Sequence, residues 1–144
     1  MDLEETARSF ASSVIHVGIQ CFVVADSNIL LGRRTSGFGI GTWGLPGGHL
    51  EQGEAILGAA ARELREESGI IARTMRIAAI GDPIPENNYH LQIGVLVDEW
   101  SGEPSITAPH EIGEWHFFPL DALPSNLLIS SAYIIEKLRS RTLY

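Results

Sequence analysis

Two adjoining segments constrain this chain more than any other feature. Residues 35–48 (TSGFGIGTWGLPGG) hold six glycines and a proline in fourteen positions, too many for a regular element, so the segment reads as a shaped loop that brings backbone close to something. Directly after it, Glu54 to Ser68 (EAILGAAARELREES) is rich in helix formers, begins acidic and stops at Gly69, which predicts a helix closed by a glycine C-cap. The fold must therefore place a glycine loop at the entrance of an acidic helix.

Period and punctuation predict the remaining elements. Residues 14–24 (VIHVGIQCFVV) are apolar and β-branched, end at Asp26-Ser27-Asn28 and resume as ILLGRR, a hairpin pattern. Further strands are expected at 72–80, 88–98 and 113–119, separated by Pro83, Pro85 and the loop SGEPSITAPHE. A last helix is expected at about 126–140, with apolar residues at helical spacing and Lys137, Arg139 and Arg141 at its end. A mixed α/β architecture follows, a sheet with helices packed on its faces. The length of 144 residues fits one domain, 1–144.

Ten Lys+Arg stand against eighteen Asp+Glu, a formal charge of -8, and Lys137 is the only lysine. No basic stripe exists to hold a nucleic-acid polymer or an anionic membrane by counterion release. The first ten residues, MDLEETARSF, lack the positive charge and apolar core of a secretory signal. No apolar run approaches the roughly 18 residues of a membrane span. The single cysteine, Cys21, sits in the apolar run GIQCFVVA and excludes an intrachain disulfide. It reads as a buried strand thiol, since no His or Arg flanks it. A cytoplasmic protein is expected.

Five acids crowd residues 51–67: Glu51, Glu54, Glu63, Glu66 and Glu67, countered by Arg62 and Arg65. At about 100° per residue, Glu63 and Glu67 lie about 40° apart and Glu66 about 60° to the side. Ile56, Leu57, Ala60 and Leu64 form the neighbouring apolar stripe, so the carboxylate row borders the buried face. Such a row is either a solvated face paired to Arg62 and Arg65, or a site for a hard divalent cation that prefers carboxylate oxygens.

Spacing decides between the two. From Gly48, the segment GHLEQGEAILGAAARELREESGI places Gly48, Glu54, Arg62, Glu63, Leu64, Glu66, Glu67, Gly69 and Ile70 in the order G-x5-E-x7-R-E-U-x-E-E-x-G-U, U being apolar. From average residue usage, chance agreement is on the order of 10⁻⁷. The segment resembles the Nudix box at every defined position. The resemblance implies the Nudix fold, a mixed β-sheet sandwiched between α-helices with a loop-helix-loop catalytic motif. It also implies hydrolysis of a nucleoside diphosphate linked to another moiety. Carried over by motif position, Glu63, Glu66 and Glu67 are the implied ligands of Mg²⁺, with Mn²⁺ as a substitute, and the Gly47 carbonyl is a further ligand. In some members of the family one of these glutamates, or a glutamate outside the box, is the base. Gly48, Glu54, Arg62 and Gly69 are implied to hold the box in shape.

Beyond the box the likeness is to MutT-type nucleoside-triphosphate diphosphatases, through Trp43-Gly44-Leu45-Pro46-Gly47, Trp100-Ser101-Gly102-Glu103-Pro104 and Gly113-Glu114-Trp115. On that alignment Glu111 takes the position of an additional metal-binding, catalytic glutamate, on a loop shorter than in MutT.

Among other residues, Arg33 and Arg34 end a strand where a guanidinium could pair with phosphate. Trp43, Tyr89, Trp115 and Phe117 are aromatics that either stack on a base or fill the core. Trp115 and Phe117 should share a face. His49 and His90 are candidate substrate contacts, and the five histidines show no zinc-ligand spacing.

The expected reaction is Mg²⁺-dependent cleavage of a nucleoside triphosphate, unmodified or oxidised, to monophosphate and pyrophosphate. Pro85 resembles a marker of ADP-ribose hydrolysis, which keeps ADP-ribose or nucleotide-sugar cleavage open, and Tyr89 does the same for dinucleoside polyphosphates. A non-catalytic nucleotide sensor is the reading from another class. The expected partner is a small nucleotide, and the protein is a monomer or homodimer.

Overall fold

The computed structural model describes residues 2–5 and 14–144. Much of the N-terminal segment read for a signal sequence lies outside the described residues. Strands β1 (Val17–Ala25) and β2 (Asn28–Arg34) form the predicted hairpin. Asp26 and Ser27 close it with φ of 51° and 63°, the left-handed pair that a two-residue turn between twisted strands requires. Two short strands follow, β3 (Trp43–Gly44) and β4 (Gly47–His49). Helix α1 spans Ile56–Ser68, then come β5 (Ile71–Gly81), a single 3₁₀ turn (Pro85–Asn87), β6 (Leu91–Ser101), β7 (Ile112–Pro119) and α2 (Ile129–Arg139).

The sheet runs β3-β2-β1-β6-β5, with β4 on β1 and β7 on β2. Only β1 and β6 among these pairs are parallel, in register from Val17↔Leu91 to Val23↔Val97. As the central strand, β1 is covered on both faces. Ile19, Cys21 and Val23 join Ala59, Ala60 and Leu64 of α1 in one cluster, whereas Phe22 joins Ile134 and Ile135 of α2 in the other. The period of two thus splits β1 between two cores, and the sheet lies between helices.

Several boundaries differ from expectation for local reasons. The glycine loop is not wholly irregular. A Cβ at Gly47 would overlap the Ile19 carbonyl, so the missing side chain is what lets β4 pair with β1. Helix α1 begins two residues late because Ala55 is extended and Glu54 is engaged by Arg62. Gly69 caps the helix at φ 79°, as expected. Strand β6 begins at Leu91 because Asn88 and Tyr89 have φ of 51° and 55°. Helix α2 starts at Ile129 because the residues before it are tied to β3: Trp43 N–H donates to the Asn126 carbonyl and Leu128 N–H to the Trp43 carbonyl. Leu57, expected in the buried stripe, is 37% exposed, and Ala59 is buried in its place.

Candidate active site

The acidic row of α1 faces the loop that precedes it. Glu67 is buried, 7% exposed, and its Oε1 accepts the N–H of Gly47 at 2.8 Å. The Glu63 side chain is 15% exposed and that of Glu66 54%, so the three carboxylates step outward from core to solvent. Glu63 lies against Gly48, where a Cβ would overlap its carboxylate.

Arg62 organises the row. Its Nε donates to Glu54 Oε2 at 2.6 Å and its Nη2 to Glu54 Oε1 at 2.8 Å, a bidentate fork of the kind that fixes both orientation and charge. Its Nη1 donates to Glu63 Oε1 at 2.9 Å and Glu66 Oε2 at 3.3 Å. Glu54 Oε1 also accepts the Glu51 N–H, tying the loop to the helix. The fork holds the Glu54 carboxyl at about 2. Arg65, the other expected partner of the row, is exposed.

Burial dominates at the inner end. It pushes the Glu67 carboxyl up to about 8, against the Gly47 hydrogen bond, with Glu63 and Glu111 adding in the same direction and Arg34 opposing. Glu63 is also raised, first by burial, then by Glu66 and Glu111, with Arg62 opposing. Glu111, on the loop before β7, therefore acts electrostatically on both Glu63 and Glu67 of α1 although it comes from a different segment. Burial likewise raises the Cys21 thiol, which is fully buried and packed under α1.

Among the described residues, no three His, Cys, Asp or Glu side chains stand in chelating geometry. The donor set still suits a hard divalent cation. It consists of carboxyl oxygens on one helix face, and at the innermost, burial makes ionisation costly beyond what one backbone amide offsets, a cost that a bound cation would remove.

A cavity of about 190 Å³ opens beside the row, with Gly47 and Gly48 in its wall. Arg34 and His49 line it. Arg34 Nε donates to the Phe38 carbonyl at 2.7 Å, and His49 Nε2 lies 2.9 Å from His90 Nε2. Arg33 does not reach it. A register shift between Arg33 and Arg34 separates the two, and Arg33 pairs with Glu114 at 3.2 Å on the exposed surface. Tyr89 is 64% exposed and does not line the cavity. Phe117 packs with Trp115 against the core cluster under α1, so these two share a face as expected, in the core and away from the cavity.

Cavity residues that the sequence reading missed include Phe38, Gln20, Gln92 and Asn87. A signal for two of them was present: Gln20 and Gln92 each interrupt an apolar strand run, and a polar residue inside a buried strand is the informative exception. Phe38 and Asn87 lie in irregular segments where no periodicity exists to be broken.

The family profile described as NUDIX domain matches residues 14–138. A Danio rerio protein named oxidized purine nucleoside triphosphate hydrolase is 34% identical over 104 residues, 71% of this chain and 65% of that protein. A Methanocaldococcus jannaschii protein named ADP-ribose pyrophosphatase is 31% identical over 110 residues, 75% of this chain and 64% of that protein. The matches thus span just under two thirds of these relatives. The crystal structure of a MutT NUDIX hydrolase from Burkholderia pseudomallei superposes with a TM-score of 0.78 at 30% identity, covering 88% of this chain and 99% of that one.

Proposed function

Because the chain belongs to the NUDIX domain family, we propose that it is a Mg²⁺-dependent hydrolase, with Mn²⁺ as a substitute metal. In this reading it cleaves a nucleoside triphosphate, unmodified or oxidised, to the monophosphate and pyrophosphate, acting as a single domain. The observation that carries the proposal is the buried Glu67 held by Gly47 beside Glu63 and Glu111. The arrangement concentrates carboxyl oxygens next to a cavity sized for part of a nucleotide.

Glu63, Glu66 and Glu67 would hold the metal, with the Gly47 carbonyl as a further oxygen donor. When bound, the metal neutralises charge on the non-bridging phosphate oxygens. The chain's own groups do the rest. Arg62 holds Glu63 and Glu66 by hydrogen bonds while its fork on Glu54 anchors the loop. Arg34, on the cavity wall, pairs with a phosphate. A carboxylate of the cluster, with Glu111 a candidate on its exposed loop, takes the proton of the attacking water as the P–O bond to the leaving group breaks.

A panel of dNTPs, oxidised dNTPs, ADP-ribose and dinucleoside polyphosphates, assayed with Mg²⁺, tests the proposal. Triphosphates should be the preferred substrates, and Glu67→Gln should fold but lose at least about 100-fold in kcat. Preference for ADP-ribose would instead favour the reaction named for the Methanocaldococcus jannaschii relative. Stoichiometric binding without phosphate release under any divalent metal would make the domain a nucleotide sensor.

A further inference from the structure

The loop between β6 and β7, residues 102–111, carries Glu111 and is tied to the body of the protein in two places. The first tie closes α1. A helix leaves its last carbonyls without intrahelical partners, and this loop supplies donors for two of them. Ser105 N–H donates to the Ser68 carbonyl at 2.8 Å, and Thr107 Oγ1 donates to the Glu66 carbonyl at 2.6 Å. Glu66 is thereby held at two points, by Arg62 through its carboxylate and by Thr107 through its carbonyl.

The second tie is to Thr35, the residue after β2. Its N–H donates to the Glu111 carbonyl at 2.9 Å, and its Oγ1 donates to the Pro109 carbonyl at 3.0 Å. Glu111 N–H donates in turn to the Ala108 carbonyl at 2.9 Å, so both backbone polar groups of Glu111 are engaged. Arg33 pairs with Glu114 and Arg34 with Ile112, which leaves Gly113 as the extra residue of a bulge, a device that re-aims neighbouring side chains. A Cβ at Gly113 would meet Thr35 Cγ2 at 2.7 Å, so the glycine is what admits Thr35 beside the bulge.

These bonds work against a repulsion. Glu111 acts on both Glu63 and Glu67, and like charges disfavour such an approach unless a cation intervenes. Its side chain is 54% exposed, so burial does little to keep it there. An unanchored loop would relax outward and carry the carboxylate away from α1.

We propose that Thr107 and Thr35 are positioning residues that clamp the 102–111 loop between α1 and β2 and so keep Glu111 at the acidic row. The inference rests on the reading of that row as the divalent-metal site of a hydrolase. A carboxylate held there favours a bound cation electrostatically, whether it ligates the cation or takes a proton.

Binding of Mn²⁺ alone to the full chain, followed by electron paramagnetic resonance, reads the clamp without turnover. Steady-state kinetics with a nucleoside triphosphate and Mg²⁺ read it in the reaction. Thr107→Val removes the hydroxyl at nearly constant shape. It should weaken Mn²⁺ binding about tenfold, the scale of residues that orient metal ligands, and lower kcat more than it raises KM. Thr107→Ser keeps the donor and should restore both, and the same two substitutions at Thr35 should repeat the pattern. In a Glu111→Gln background neither valine variant should have a further effect, because each acts through Glu111. Equal losses with and without Glu111, wild-type behaviour of the valine variants, or serine variants as impaired as the valine ones would each overturn the proposal. The expected Mn²⁺ pattern in a protein that hydrolyses nothing would sink the hydrolase reading and leave the clamp standing.

Discussion

The N–H of Gly47 and Oε1 of Glu67 are joined by a 2.8 Å hydrogen bond across twenty residues of chain, and this bond ties the glycine loop to the last turn of the acidic helix. It exists because β4 pairs with β1 at Gln20↔Gly47, which only a residue without a side chain permits. A carboxylate is thereby held in the core edge, where its charge is costly until a cation arrives.

That cost gives the metal-free protein a defined pH response. The Glu67 carboxyl is raised from 4.5 to about 8, so its contribution to stability is fully present below 4.5 and is lost as pH rises through 8. In EDTA, Tm should fall between pH 5 and pH 9. Glu67→Gln should flatten this slope, and Mg²⁺ should raise Tm more at pH 9 than at pH 6, since metal and proton compete for the carboxylate. Thermal melts across that range check all three, and an unchanged slope in the variant would remove Glu67 as the source.

Arg62→Lys keeps the charge but cannot reproduce the fork on Glu54 while reaching Glu63 and Glu66. Apparent Mg²⁺ affinity, read from the metal dependence of turnover, should fall about tenfold or more, as for other residues that orient ligands. A variant with wild-type metal dependence would make the fork dispensable.

The two adjacent glycines should fail differently. A methyl at Gly47 meets the backbone carbonyl of Ile19, whereas one at Gly48 meets the Glu63 carboxylate. Gly47→Ala should therefore lower Tm strongly by displacing β4, and Gly48→Ala should lower kcat with a smaller change in Tm. Paired melting and kinetic measurements separate the two effects.

Neighbouring arginines should differ as well. Arg33→Ala removes an exposed pair with Glu114 and should change kcat/KM and Tm little, as exposed pairs contribute ~0–1 kcal/mol. Arg34→Ala removes a cavity-lining cation and should raise KM about tenfold or more. Equal kinetic effects would mean that Arg33 also reaches the substrate.

Much of the molecule was legible in its residues because local rules govern it. The turn at Asp26-Ser27, the glycine cap at Gly69, the buried Cys21 and the carboxylate face of α1 each follow from short-range sterics, period or burial. Box spacing pointed to the Nudix family, which the profile match over 14–138 bears out. What stayed hidden depended on partners far away in sequence. Arg33 and Arg34 look alike until the register shift against β7 sends one to Glu114 and the other to the cavity wall. Phe117 and Tyr89 resemble ligand-stacking aromatics until packing puts the first in the core and exposes the second.

By itself, then, the sequence determined the two-sided sheet, the acidic helix and the family, since propensity, periodicity and motif spacing are properties of neighbouring residues. Only the tertiary structure decided which polar groups face the cavity. The parallel register of β1 with β6 sets Gln20 beside Gln92 across 72 residues, and α2 brings Ser131 to orient them. Such a network is made of contacts between segments distant in sequence, which no local rule encodes.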